Sequence, residues 1–114
     1  MEAVAKGARE AGGAAIGLLP GESRQAGNAW LEHAIATGMG EARDLAVVAS
    51  GDAVIAVGGG WGTLAEIGLA RKLGREVVLL ATELQVSGDG LHRCSTAEEA
   101  VALALALAGL QETP

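Results

Sequence analysis

Ala53-Val54-Ile55-Ala56-Val57-Gly58-Gly59-Gly60-Trp61-Gly62-Thr63-Leu64-Ala65-Glu66 reads as a strand, a glycine turn and the start of a helix. Ala53 to Val57 is an unbroken apolar run of the kind that fills buried parallel strands. Four glycines within the five positions 58–62 would weaken any regular element. Their use is therefore backbone freedom: positive φ, and close approach of main-chain N–H groups to something bound. The chemistry of the place favours an anion. The first turn of a helix carries unsatisfied N–H donors and a partial positive charge, so a phosphate is held there without a basic side chain.

Outward from this stretch, strands alternate with helices. Met1 to Ala11 is Ala-rich and closes on Gly12-Gly13, a helix with a glycine stop. Ala14 to Leu19 is a strand ended by Pro20-Gly21, and Glu22 to Asn28 is a polar loop. Trp30 to Ala36 is a short strand or turn leading into Thr37-Gly38-Met39-Gly40, and a helix spans about Glu41 to Ala49. The helix behind the glycine turn spans Thr63 to Leu73, with Arg71 and Lys72 opposing the dipole and Gly74 as a left-handed cap. Glu76 to Ala81 and Leu91 to Cys94 are strands, and Thr96-Ala97-Glu98-Glu99 is a capping box that launches a last helix through Leu107. That helix is apolar nearly all round, which calls for cover on more than one side. The alternation predicts one α/β domain over residues 1–114, three-layered and Rossmann-like, with a mostly parallel sheet and its site at the C-terminal strand ends.

Bulk properties narrow the function. With 114 residues, half of them apolar but only two aromatic, the chain has a core built from small residues that pack closely. A net charge of −6 with eight scattered basic residues excludes a broad nucleic-acid footprint. No apolar run approaches the roughly 20 residues of a membrane span, and the start lacks a secretory pattern, so the reading is cytoplasmic. The single Cys94 excludes an internal disulfide. His92 and Cys94 form only an H-x-C pair, better read as an ordinary strand than as metal ligands, and no resident cofactor or metal is expected.

Three motifs compete for the glycine turn. A Walker A loop ends in Gly-Lys-Ser/Thr, whereas Gly62 is followed by Thr63 and Leu64 with no lysine. A dinucleotide fingerprint needs a glycine where Thr63 stands; in its favour, Glu83 ends the next strand about where a ribose-binding acid would lie. Glu83 reads equally as a solvated loop residue.

The third motif is a family signature. Gly58-Gly59-Gly60-Trp61-Gly62-Thr63-Leu64-Ala65-Glu66 resembles the P-G-G-x-G-T-x-x-E signature of the Lonely Guy (LOG) family, once misannotated as lysine decarboxylases, with Gly58 in place of the proline. Thr37-Gly38-Met39-Gly40-Glu41-Ala42-Arg43-Asp44 is similar to a second stretch of the same relatives. Together the two point to the bacterial LOG-like Rossmann branch that includes molybdenum cofactor carrier proteins. The resemblance covers Met1 to about Ala81. It implies that the residues aligned with Met1 follow a first β-α-β unit, at least about 30 residues, that this chain lacks. The chain would then be a fragment, have a misassigned start, or take a sheet edge from a partner, and a homo-oligomer, dimer or tetramer, is expected.

The resemblance implies two functions. As a LOG-type phosphoribohydrolase, the protein would cleave the N-glycosidic bond of a nucleoside 5′-monophosphate: Glu66 would contact the ribose and help water attack, and Arg43 would face the same pocket. Gly58, Gly59, Gly60, Trp61, Gly62 and Thr63 would bind the nucleotide, with Gly60, Gly62 and Thr63 holding its phosphate. As a carrier, it would bind molybdenum cofactor or another phosphorylated ligand without chemistry. A dinucleotide-binding module and a pure interaction module are the remaining alternatives. Each residue also has a structural reading. Thr63-Leu64-Ala65-Glu66 is itself a capping box, with Glu66 reaching back to the Thr63 N–H. Arg43 fits a solvated helix residue paired with Glu41 or Asp44. Trp61 can stack on a ring or plug the loop against the sheet. Arg24 and Asn28 lie in a loop that could line a pocket.

Overall fold

The computed structural model describes residues 1–110. In chain order its elements are α1 (Glu2–Glu10), β1 (Ile16–Leu19), β2 (His33–Ala36), α2 (Arg43–Ser50), β3 (Val54–Val57), α3 (Trp61–Lys72), β4 (Val77–Leu80), β5 (Leu91–Cys94) and α4 (Ala97–Leu107), with 3-10 turns at Arg24–Ala26 and Gly40–Ala42. All strand pairs among the described residues are parallel, so the chain is the Rossmann-like α/β protein that the alternation demands. The strands form two sheets, β1-β2 and β3-β4-β5, and the chain divides into two compact units, Met1–Ala46 and Val47–Pro114. No helix among the described residues is long and apolar enough to cross a membrane.

In the first unit β1 and β2 pair from Ile16↔His33 to Leu19↔Ala36. The strand expected within 30–36 occupies only its second half, because the Asn28 Oδ1 accepts the Trp30 N–H at 2.9 Å and turns the chain there. Leu31 then reaches back over the glycine backbones at 17 and 27, where a Cβ would collide with its Cδ1. Helix α1 buries Ala5, and its Lys6 Nζ lies 5.4 Å from the centroid of the Trp30 ring, a cation–π contact.

In the second unit β4 is the middle strand. Val77, Val78 and Leu79 are fully buried, because successive side chains point to opposite faces and each face is covered. Ile67 and Ala70 of α3 pack with Val48, Ala56, Val77 and Leu79 on one face. Helix α4 packs along β3, β4 and β5, and its Val101, Ala104 and Leu105 line a groove with Ile55, the register partner of Val78 on the opposite face. This unit is thus helix, sheet, helix. Burying each of these large side chains contributes roughly 1.5–3 kcal/mol. One expectation is corrected: the doubly buried strand is β4, not 53–57. In β3 only Ala56 is buried while Ile55 and Val57 stay partly exposed, since β3 is an outer strand of its sheet.

Helix ends follow the sequence closely. Gly12, Gly74 and Gly109 adopt φ of 85°, 77° and 73°. Each closes its helix with paired bonds, as where the Gly74 N–H reaches the Arg71 carbonyl and the Arg75 N–H the Ala70 carbonyl. Thr96 caps α4, its Oγ1 accepting the Glu99 N–H at 3.1 Å, and the Glu99 carboxylate reaches back to the Ser95 N–H.

Candidate phosphate-binding site

The glycine turn lies where β3 ends and α3 begins. Gly58 has φ +77° and donates its N–H to the Leu80 carbonyl at 3.1 Å. Both facts bear on the LOG signature. Proline is locked near −65° and has no N–H, so it could occupy neither this conformation nor this bond. Gly59 is packed: a Cβ there would lie 2.7 Å from the Thr82 Oγ1 and 3.0 Å from the Leu84 Cγ. The backbone of 59 therefore rests directly on the loop that follows β4.

Gly60 and Gly62 are different. Gly60 is extended, at φ −147°, a conformation open to any residue, and a Cβ at 60 or at 62 would meet nothing within 4 Å. Gly62 also sits inside α3, where glycine costs up to about 1 kcal/mol relative to alanine. Neither conformation nor internal packing accounts for them, so the space beside them is free for a bound group.

Helix α3 begins at Trp61 with Gly60 as its N-cap, two residues before the sequence expectation. Its first intrahelical bond, from the Leu64 N–H to the Gly60 carbonyl, spans 2.9 Å. The N–H groups of Gly60, Trp61, Gly62 and Thr63 are then the orphan donors of the first turn. This start also removes the capping-box reading of Glu66. Thr63 is the third residue of the helix rather than its cap, so Glu66 lies one turn too deep to play the capping partner. Glu66 is half-buried and three residues beyond Thr63, on the same helical face.

Trp61 is 87% exposed, which rules out the plug and leaves its ring faces open. Arg43, by contrast, is engaged within the first unit. Its Nη1 donates to the Leu18 carbonyl at 2.7 Å and its Nε lies 3.1 Å from the Asp44 carboxylate, the pairing expected of a structural arginine. The rest of that stretch is also tied down. Thr37 bonds the Leu19 carbonyl through both its N–H and its hydroxyl, and Gly38 and Gly40, at φ 65° and 58°, donate to the carbonyls of Gly21 and Pro20.

Other candidates resolve simply. Arg24 lines an open cavity of about 590 Å³ with Gln25, Glu32 and His33 in the first unit, and Asn28 is used in its own turn. Glu83 is exposed in the loop after β4. The His92 Nε2 lies 2.9 Å from the Glu76 carboxylate, and no cluster of three metal donors occurs among the described residues. Sequence reasoning missed Thr82, Leu84 and Arg93. Arg93 gathers the carbonyls of Thr82, Leu84 and Val86 at 3.1, 2.8 and 3.3 Å, and nothing in a lone strand arginine signals that.

A parallel α/β fold with a glycine turn feeding free N–H groups into a helix start defines a Rossmann-like protein of the LOG-related type. The sequence model of the SLOG cluster4 family matches residues 1–107, and the chain belongs to that family. It is 43% identical over 101 residues to an uncharacterized protein of Archaeoglobus fulgidus, a match covering 89% of this chain and 65% of that protein. Among solved structures, the molybdenum cofactor binding protein of the phototrophic bacterium Rippkaea orientalis is 34% identical with a TM-score of 0.69, over 97% of this chain and 60% of the other. The molybdenum cofactor carrier protein of Chlamydomonas reinhardtii is 37% identical with a TM-score of 0.82, over 92% of this chain and 68% of the other. The chain thus spans between 60% and 68% of the lengths of these relatives.

Proposed function

We propose that the protein binds a phosphorylated small molecule at the start of α3 and serves as a carrier of a pterin-type ligand, molybdenum cofactor being the first to test. The observation that carries this is the pair Gly60 and Gly62: two glycines that the fold itself does not require, beside the orphan N–H groups of a helix start. The ligand's phosphate sits on the N–H groups of Gly60, Trp61, Gly62 and Thr63. Gly58 and Gly59 shape the turn, the Thr63 hydroxyl adds a donor, and the exposed Trp61 ring offers a stacking face to a planar heterocycle. The likeness to molybdenum cofactor binding and carrier proteins supports carriage over hydrolysis. So does Gly58, whose conformation departs from the proline of the LOG signature.

Two assays on the purified protein separate the readings. Mixed with molybdenum cofactor, a carrier retains it through gel filtration and slows its oxidation; incubated with AMP, it releases no adenine. Release of adenine that disappears in Glu66→Gln would instead make the protein a phosphoribohydrolase, with Glu66 acting on the ribose. Light scattering during the same gel filtration tests the dimer or tetramer expected from the resemblance.

A further inference from the structure

We propose that Arg93 is a positioning residue for the glycine turn, acting through the loop after β4 rather than by touching ligand; this rests on the reading of the turn as a phosphate cradle. Arg93 lies on β5 opposite Leu79, and its guanidinium collects three carbonyls of one loop, those of Thr82, Leu84 and Val86. A rigid planar fork is suited to holding several acceptors at fixed spacing, which a lysine ammonium does less well. These three neutral carbonyls hold the guanidinium in place.

The loop so held is the wall behind the turn. It leaves β4 through Ala81 at φ +52°, and the Thr82 Oγ1 accepts the Leu84 N–H at 3.1 Å, bending the chain. Leu84 and Val86 pack against the buried core, while Thr82 and Leu84 press on the backbone of Gly59. One residue earlier, Gly58 is bonded to Leu80, the last residue of β4. Residues 80–84 therefore fix both Gly58 and Gly59, and with them the approach to the Gly60 cap. Arg93 holds that segment from its polar side as Leu84 and Val86 hold it from the apolar side. A loop freed from Arg93 lets the turn fluctuate, and preorganised N–H donors lose their advantage when they must be ordered on binding.

The test compares Arg93→Ala with Arg75→Ala, whose lost bond, from Arg75 Nη2 to the Ala49 carbonyl, is also an arginine–carbonyl tie but in another part of the unit. Without ligand, amide hydrogen exchange by NMR is read at Gly58 and Leu64, the bonded N–H groups flanking the turn. Arg93→Ala accelerates both about tenfold, the scale of a lost charge-assisted hydrogen bond, Arg75→Ala leaves them unchanged, and Arg93→Lys falls between. Unchanged exchange at Gly58 and Leu64 in Arg93→Ala overturns the proposal. With inorganic phosphate as probe, wild type binds and Arg93→Ala binds about tenfold more weakly by the same argument, at a melting temperature matched by Arg75→Ala. Equal phosphate binding by Arg93→Ala and wild type also overturns it. If wild type itself binds no phosphate, the cradle reading falls, and the exchange rates still decide the role of Arg93.

Discussion

Gly58 and Leu80 are joined by a 3.1 Å bond from the Gly58 N–H to the Leu80 carbonyl, made while Gly58 holds φ +77°. This one contact ties the end of β3 to the end of β4 and starts the glycine turn. It also explains why the LOG proline is absent. Gly58→Pro, which would restore that signature, removes the donor and demands an impossible φ. Chemical denaturation is expected to show a loss of about 2–3 kcal/mol, against about 1–2 kcal/mol for Gly58→Ala, which keeps the N–H and suffers only the left-handed strain.

Gly62→Ala separates function from fold. Its Cβ meets no protein atom and alanine favours the helix, so stability is expected to hold or rise by up to about 1 kcal/mol. Ligand affinity, measured by calorimetry on the same preparation, falls, because the methyl group enters the space beside the donors. Gly60→Ala loses affinity in the same way but also costs up to about 1 kcal/mol of stability, because alanine is a poorer N-cap than glycine. A Gly62 variant that loses both stability and binding would place that glycine in the fold's own packing.

Arg43 is expected to act on stability. Arg43→Ala leaves the Leu18 carbonyl without its 2.7 Å donor, a loss of roughly 1–2 kcal/mol. Thermal unfolding checks this. The partial recovery in Arg43→Lys distinguishes a lost hydrogen bond from lost charge alone.

The glycine turn, the helix that follows it and the glycine helix stops at Gly12 and Gly74 were all legible in the sequence. Each rests on a local rule: an apolar run ending in glycines, or a glycine just past an apolar periodicity. The exact start of α3 was not. Thr63 followed by Glu66 imitates a capping box, and only the backbone shows that Gly60 holds the cap, so that Glu66 lies too deep to serve it. The exposure of β3 was equally hidden, because an outer strand and a central strand can carry the same apolar residues; position in the sheet decides their burial. The tie from Arg93 to the loop of Thr82 joins a strand side chain to main-chain carbonyls of the loop just before it, and no residue type or spacing announces it.

Ala81 is the one described non-glycine residue at positive φ, 52°. Ala81→Gly relieves a left-handed strain of about 1–2 kcal/mol and adds unfolded-chain entropy worth about 0.4–1 kcal/mol. The expected outcome is equal or slightly greater stability in denaturant titration. A clear loss would mean that the Ala81 methyl itself packs in the loop.

The central claim is that phosphate is held by the main-chain donors at the start of α3. Its most direct measurement is a titration of the 15N-labelled protein with molybdenum cofactor, following each backbone amide. The account predicts large, saturable shifts at Gly60, Trp61, Gly62 and Thr63, with buried Val78 unmoved. Saturable binding that leaves those four amides where they were would contradict it.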